Sequence, residues 1–166
     1  GEGNVIINAT AATFASNGGI GNSTSVRSIV IGSANNATAT IFNGAINTTS
    51  ITIGGETNAN VHAVSFFDNN NSAHSIIGTI DAGAANDTVS INVLDAANGA
   101  APTAITFTSN VGATAGVDSL LIGSATQAGS AVFNGTVNAG AITLEAGNAA
   151  TETASVSYTH LRAHET

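Results

Sequence analysis

Short apolar or alternating stretches recur along this chain with centres about 12 residues apart, a spacing typical of short β-strands, and Gly, Asn, Asp and Ser lie between them. Ile51 and Ile53 flank Thr52, and the stretch 88–94 alternates in the same way. Such alternation gives a strand one apolar face and one hydroxyl or amide face. No helix is predicted. The predicted strands are 5–7, 12–14, 26–31, 38–42, 50–53, 61–67, 75–80, 88–94, 104–107, 117–122, 131–133 and 141–144.

One long stretch occurs twice. Residues 31–53, IGSANNATATIFNGAINTTSITI, return as residues 122–144, IGSATQAGSAVFNGTVNAGAITL, 91 positions later and without a gap. A shorter match, TFASN at 13–17 against TFTSN at 106–110, has an offset of 93. The copies therefore cover about 12–53 and 105–144. Internal repetition of this kind is typical of arrays of stacked units.

Two all-β architectures fit short strands at this spacing, a sandwich or barrel and a solenoid. The long repeat and the small-residue turns favour the solenoid. We expect residues 1–155 to form a parallel β-solenoid, right-handed, with about six or seven rungs of roughly 20–27 residues. Phe42 and Phe133 both follow a β-branched residue and precede Asn-Gly. They are predicted to occupy equivalent inward positions in two different rungs.

The last eleven residues, 156–166, break the pattern with the sequence VSYTHLRAHET. This segment resembles the translation of a sequencing-library adapter, so it is excluded from functional reasoning. We expect its deletion to leave the melting temperature unchanged, although Val156 and Tyr158 alternate with polar residues and so allow pairing on the open end of the solenoid. The residues excluded as site candidates are His160, Arg162, His164 and Glu165.

Composition narrows the possible functions. Charged residues are 7% of the chain, the net charge is −8, and cysteine is absent. A 43% hydrophobic content argues against disorder. The chain has no basic patch and few aromatic residues, which argues against nucleic-acid binding. Without cysteine, it can form neither a disulfide framework nor a thiolate metal site. No apolar run approaches the roughly 20 residues that span a bilayer. The chain opens at Gly1 in mid-pattern, which predicts an internal fragment of a longer exported protein.

Several residues have the chemistry of a site. His62, Asp68 and His74 could serve a metal or acid–base role, but we expect solvated loop and surface residues. Glycoside hydrolases on β-helices need paired carboxylates, and nothing in the pattern selects a pair. The four candidate carboxylates are Asp81, Asp87, Asp95 and Asp118.

Residues 81–89 resemble one turn of the calcium-binding nonapeptide repeat, with Asp87 in the ligand position. Ala84 and Asn86 stand where that pattern has glycine, and no second copy lies nine or eighteen residues away. Calcium needs six to eight oxygen ligands, which one degenerate turn cannot supply. The prediction is an Asn-Asp turn with no calcium. No catalytic, cofactor-binding or metal residue is assigned, and no cofactor is expected.

Two segments, ATIFNGAINTTSITI at 39–53 and AVFNGTVNAGAITL at 131–144, resemble the passenger repeats of rickettsial-type surface-antigen autotransporters. The resemblance implies a non-enzymatic β-solenoid passenger on the bacterial cell surface, anchored in the outer membrane through a region C-terminal to this chain. Implied partners are a host or neighbouring cell surface, or further copies in a surface layer. The alternatives are a secreted β-helical polysaccharide-degrading enzyme and a calcium-binding repeat protein.

Overall fold

The computed structural model describes residues 3–8, 14–32, 37–55, 59–68, 72–83, 87–95, 102–146 and 154–158. These residues form thirteen β-strands and no helix. In chain order the strands are β1 (Asn4–Ile7), β2 (Phe14–Ser16), β3 (Val26–Ile31), β4 (Thr38–Phe42), β5 (Ile46–Ile53), β6 (Val61–Phe67), β7 (His74–Ala82), β8 (Thr88–Leu94), β9 (Ile105–Phe107), β10 (Val117–Ile122), β11 (Gly129–Phe133), β12 (Ala139–Leu144) and β13 (Ala154–Tyr158).

The strands alternate between two sheets. The odd-numbered strands form one sheet in the order β1-β3-β5-β7-β9-β11-β13, called here the odd sheet. The even-numbered strands form the even sheet, in the order β12-β10-β8-β6-β4-β2. Each strand pairs in parallel with the strand two places away in the chain. The chain therefore coils, and the predicted parallel β-solenoid is confirmed against the sandwich.

The apolar alternation positions most strands. Five predicted stretches coincide with strands to the residue, namely β3, β4, β6, β8 and β10. β5 and β7 begin earlier than predicted, at Ile46 and His74. Ile46 and Ile76 pair with each other across the two strands, and both are buried. The strands are thus lengthened by a partner in the next turn of the coil, which the local sequence pattern does not display.

The repeat in the sequence is also a repeat of contacts. The Asn43 N–H donates to the carbonyl of Ser16 at 2.9 Å, and 91 positions later the Asn134 N–H donates to the carbonyl of Phe107 at 2.9 Å. Gly21 and Gly112 have φ of 75° and 72°. The two copies nevertheless lie in opposite sheets, because β3 corresponds to β10, a shift of seven strands along the chain. An odd number of strands moves a segment from one sheet to the other.

Five phenylalanine rings form one column through the core of the described chain. Neighbouring ring centroids are 6.4, 5.6, 5.4 and 4.8 Å apart, within the range of favourable aromatic pairs. The first three rings belong to the even sheet and the last two to the odd sheet. In order along the column the rings are Phe14, Phe42, Phe66, Phe107 and Phe133.

The column passes from the even sheet to the odd sheet at the point where phenylalanine gives way to valine or isoleucine in one sheet and replaces isoleucine in the other. In the even sheet, Phe42 and Phe66 are followed in register by Val93 and Ile122. In the odd sheet the order is reversed, since Ile46 and Ile76 precede Phe107 and Phe133. Dense interiors favour such alternation of large and small side chains. Phe42 and Phe133 are both buried, as predicted, but they come from opposite sheets.

Residues 154–158 form the strand β13 at the end of the odd sheet. Its backbone pairs with β11 in parallel, from Gly129 opposite Ala154 to Phe133 opposite Tyr158. Pairing of residues 156–158 on the open end, which their alternation allows, is therefore present. The effect of deleting the tail on the melting temperature stays a prediction. β11 presents an unpaired edge that accepts a strand of matching period. Residues 159–166, with the excluded histidines and arginine, lie outside the described residues.

Candidate binding surface

Asp87 follows the turn before β8 and is 5% exposed. Its Oδ2 accepts a hydrogen bond from the Gly55 N–H at 3.0 Å, and its Oδ1 accepts one from the Asn60 N–H at 3.2 Å. Both donors belong to the preceding turn of the coil, where the backbone leaves the sheet and loses its ladder partners. Buried amides need such acceptors. The carboxylate therefore connects two successive turns.

Asp81 and Asp118 have the same kind of partner. Asp81 lies in β7, and its Oδ1 accepts a hydrogen bond from the Thr114 N–H at 2.8 Å. Asp118 lies in β10, and its Oδ2 accepts one from the Val89 N–H at 2.6 Å. Each carboxylate thus binds main chain of an adjacent turn. These three of the four carboxylates considered for hydrolysis are engaged separately and are not assembled into one site.

Asp68 and Asp95 do lie side by side, because β6 and β8 run in register up to Phe67 opposite Leu94. Each of the two aspartates is 1% exposed. Asp68 Oδ2 accepts a hydrogen bond from the Thr103 N–H at 3.2 Å. The expectation that Asp68 is a solvated loop residue is wrong, because the chain near residue 103 covers it. A glycosidic bond must reach both carboxyl groups of a hydrolase, and these two are closed to solvent.

His62 is fully buried, at 0% exposure. It belongs to β6, where alternation places it on the inner face together with Val64 and Phe66. Its Nδ1 and the Thr38 Oγ1 are joined by a hydrogen bond of 2.9 Å. The expectation of a surface histidine is wrong, since position within the strand period, rather than polarity, determines which face the side chain takes.

No metal centre forms among the residues that the structure describes, since no three His, Asp or Glu side chains there are grouped closely enough to hold an ion. His74 is half-buried at the start of β7, with Nδ1 3.2 Å from the carbonyl oxygen of Ser72. Of the segment that resembles a calcium turn, residues 84–86 lie outside the described residues. The absence of calcium stays a prediction.

A shallow depression of about 340 Å³ lies on the odd sheet where β1, β3 and β5 meet. Its size falls within the roughly 300–1,000 Å³ usual for small-molecule sites. In the part of the chain that the structure describes, the lining combines hydroxyl, amide and guanidinium groups with one apolar side chain and contains no carboxylate. The residues that line it are Asn4, Ser25, Val26, Arg27, Ser28, Thr49 and Ser50.

A β-bulge shapes one wall of this depression. The register between β5 and β7 shifts between Asn47 and Ser50, so Thr48 and Thr49 lie opposite Gly78 alone. Gly78 has φ of 125°, and a Cβ there would lie 2.7 Å from the Thr48 carbonyl oxygen, so glycine is required. Bulges redirect side chains and recur beside functional sites. Here the bulge lets two consecutive residues, Thr49 and Ser50, line one depression.

Sequence reasoning did not single out this depression, although the repeat contains a signal for it. Both copies fold in the same way, so a side chain that differs between positions 91 residues apart is not required by the fold. Arg27 and Ser50 of the first copy correspond to Asp118 and Ala141 of the second. The apolar core positions of the two copies match, so such differences mark residues available for another role.

No family model, curated protein or solved structure matches this chain. Among the described residues, no helix is long and apolar enough to cross a membrane.

Proposed function

We propose that this chain is a structural and adhesive segment of a bacterial protein that is secreted or exposed at the cell surface, of the autotransporter passenger type. It forms a stiff, elongated surface that contacts a host or neighbouring cell, or further copies in a surface layer. The segment carries out no catalysis of its own.

The architecture supports this proposal. In a coil of parallel strands each turn contacts only its neighbours, so length grows with the number of turns while the cross-section stays constant. Thirteen strands alternate between two sheets in the described chain, which favours a solenoid of six or seven rungs. Parallel crossovers within one sheet are right-handed in about 98% of proteins, which favours a right-handed coil.

The outer face of the even sheet is the observation that carries the proposal. Small side chains lie there in one register row, and none is charged. Ser119 Oγ donates to Ser90 Oγ at 3.0 Å, and in the neighbouring row Asn92 Nδ2 donates to Ser65 Oγ at 3.2 Å. A row of small, uncharged side chains can approach another surface without repulsion between charges. The row consists of Ala39, Ala63, Ser90, Ser119 and Ala141.

Beads coated with the folded chain test the adhesive role. We expect them to adhere to epithelial and bacterial cells more than beads that carry the same mass of heat-denatured chain. The denatured chain is the matched control because its composition and charge are identical. Adhesion equal to that control would contradict the proposal.

A second measurement addresses catalysis directly. The chain is incubated with plant and bacterial polysaccharides, and the release of reducing ends is measured against Asp118→Asn. We expect no release from either protein. Release that the substitution abolishes would favour the hydrolase alternative.

A further inference from the structure

We propose that the depression around Arg27 binds a carboxylate-bearing sugar, of the kind found as hexuronate residues in acidic polysaccharides. The inference rests on the proposed adhesive function, for which the depression supplies a specific contact. It assigns one ligand class to one place on the odd sheet.

The positive charge at this place has no protein partner in the described chain. No described residue forms an ion pair or hydrogen bond with the Arg27 guanidinium, and none of the described residues that line the depression is a carboxylate. Arg27 is one of only two arginines, and the chain has no lysine and a net charge of −8. The planar guanidinium matches a carboxylate with two parallel hydrogen bonds. An anionic group is therefore the ligand feature that this depression lacks.

The rest of the lining suits a polyol. Asn4, Ser28 and Ser50 lie in one register row across β1, β3 and β5. Neighbouring strands are about 4.8 Å apart, so this row places polar groups over about 10 Å beside the guanidinium. Thr49 adds a further hydroxyl through the bulge. Val26 offers an apolar surface to the C–H face of a sugar ring.

The second copy of the repeat shows that the fold does not require this polar lining. Val26 and Ser28 keep their residue types at Val117 and Ser119. The other lining residues of the repeat change to glycine, alanine or the opposite charge, while the strands β10 and β12 still form. The changed pairs are Ser25 and Gly116, Arg27 and Asp118, Thr49 and Gly140, and Ser50 and Ala141.

Amide chemical shifts of the full chain can measure binding during titration with two probes. Methyl glucuronide carries the carboxylate, and methyl glucoside is the neutral match that differs at that group alone. We expect saturable shifts at Arg27, Ser28 and Ser50 with the glucuronide. Hydrogen bonds to a charged group are strong enough that the glucoside should bind about tenfold more weakly. Equal binding of both sugars would overturn the inference.

The variant Arg27→Asp with Ser50→Ala gives the depression the second copy's residues at two of the four lining positions that differ. We expect glucuronide affinity to fall about tenfold or more, with unchanged circular dichroism and melting temperature. Ser119→Ala, at the position equivalent to Ser28, is the matched control and should bind as the parent does. Unchanged affinity in the double variant, or acetate binding as tightly as the glucuronide, would overturn the sugar assignment.

Adhesion of beads that carry the double variant distinguishes this inference from the proposed function. Lost glucuronide binding together with reduced cell adhesion supports both. Parent beads that fail to adhere, while the chain binds glucuronide through Arg27, contradict the adhesive function and leave the site supported.

Discussion

Aspartate side chains in this solenoid accept hydrogen bonds from main-chain amides at points where the chain leaves a sheet. Within a sheet, the neighbouring strand accepts these hydrogen bonds. Asp87 is the clearest case, with Gly55 and Asn60 as its two donors. From the sequence, an aspartate in a turn has the chemistry of a solvated loop or of a metal ligand. Its actual partner depends on the loop one turn away, 27 and 32 positions earlier in the chain.

Asp87→Ala should lower the free energy of unfolding by about 1–3 kcal/mol, because it removes two hydrogen bonds between main-chain amides and a buried carboxylate. Urea unfolding measures the change. Asp87→Asn keeps one carbonyl oxygen and should lie between the parent and the alanine variant. Glu145→Ala is the control, since Glu145 is exposed and surface changes usually stay within about 0.5 kcal/mol. Equal effects of the Asp87 and Glu145 variants would show that the two hydrogen bonds contribute nothing.

The phenylalanine column predicts how substitutions at distant rings combine. Phe42→Ala and Phe133→Ala should each cost about 3–5 kcal/mol, as buried phenylalanines usually do. The rings of Phe66 and Phe107 lie between them, so the two costs should add within about 0.5 kcal/mol. Double-mutant cycles by denaturant unfolding measure this sum.

The adjacent pair is the matched control for that cycle. Phe107 and Phe133 stack at 4.8 Å with an interplanar angle of 13°. Truncating both should show a coupling of about 0.5–1.5 kcal/mol, the usual value for an aromatic pair. Coupling between Phe42 and Phe133 as large as that of the adjacent pair would contradict transmission through nearest neighbours alone.

Strands at the ends of the two sheets behave differently from those inside them. β12 closes one end of the even sheet, and Leu144 is 47% exposed there, although its register partner Ile122 is fully buried. β11 is covered by the backbone of β13. Covering an edge strand satisfies amide and carbonyl groups that otherwise remain unpaired. The pairing of β13 shows this effect whatever the origin of residues 156–166.

Removing residues 156–166 should lower the melting temperature, because three of the five residues of β13 are lost from the edge of β11. For a chain of this size each kcal/mol lost corresponds to roughly 2–4 °C. Calorimetry is carried out on two truncated chains, one ending at residue 155 and one at residue 158. The difference between their melting temperatures gives the contribution of residues 156–158 without that of the remaining tail. Identical melting temperatures for both truncations would show that residues 156–158 add no stability, in agreement with the expectation from the sequence.

The whole molecule has two unequal outer faces built from one repeat. Corresponding positions are shifted by seven strands along the chain, so Arg27 lies in the odd sheet and Asp118 in the even sheet. The first copy lines a depression with polar groups, and the second contributes Ser119 to the uncharged row of the even sheet, with a hydroxyl contact to Ser90. An even number of strands would have stacked both copies on one face. Residue differences between the two copies therefore give the two sheets of the solenoid different outer surfaces.

The distribution of carboxylates predicts the response of the whole chain to calcium. Asp81, Asp87 and Asp118 each engage separate backbone amides. Titration calorimetry up to millimolar calcium, where extracellular calcium modules bind, should show no saturable heat and no rise in melting temperature. Magnesium at the same ionic strength controls for screening. A stoichiometric calcium heat that magnesium does not reproduce would refute this prediction.

The class of fold and most of the strands follow from the alternation within each stretch and from the repeat, because neither depends on contacts in the folded chain. The sequence also placed Phe42 and Phe133 inside, because burial follows the period of two. Tertiary structure decided the lengths of β5 and β7, the sheet to which each copy belongs, and the burial of His62 and Asp68. These depend on partners one turn away, and the lengths of the loops determine which residues meet. The depression at Arg27 belongs to the same group, because three strands and one bulge must come together before its lining residues form a single surface.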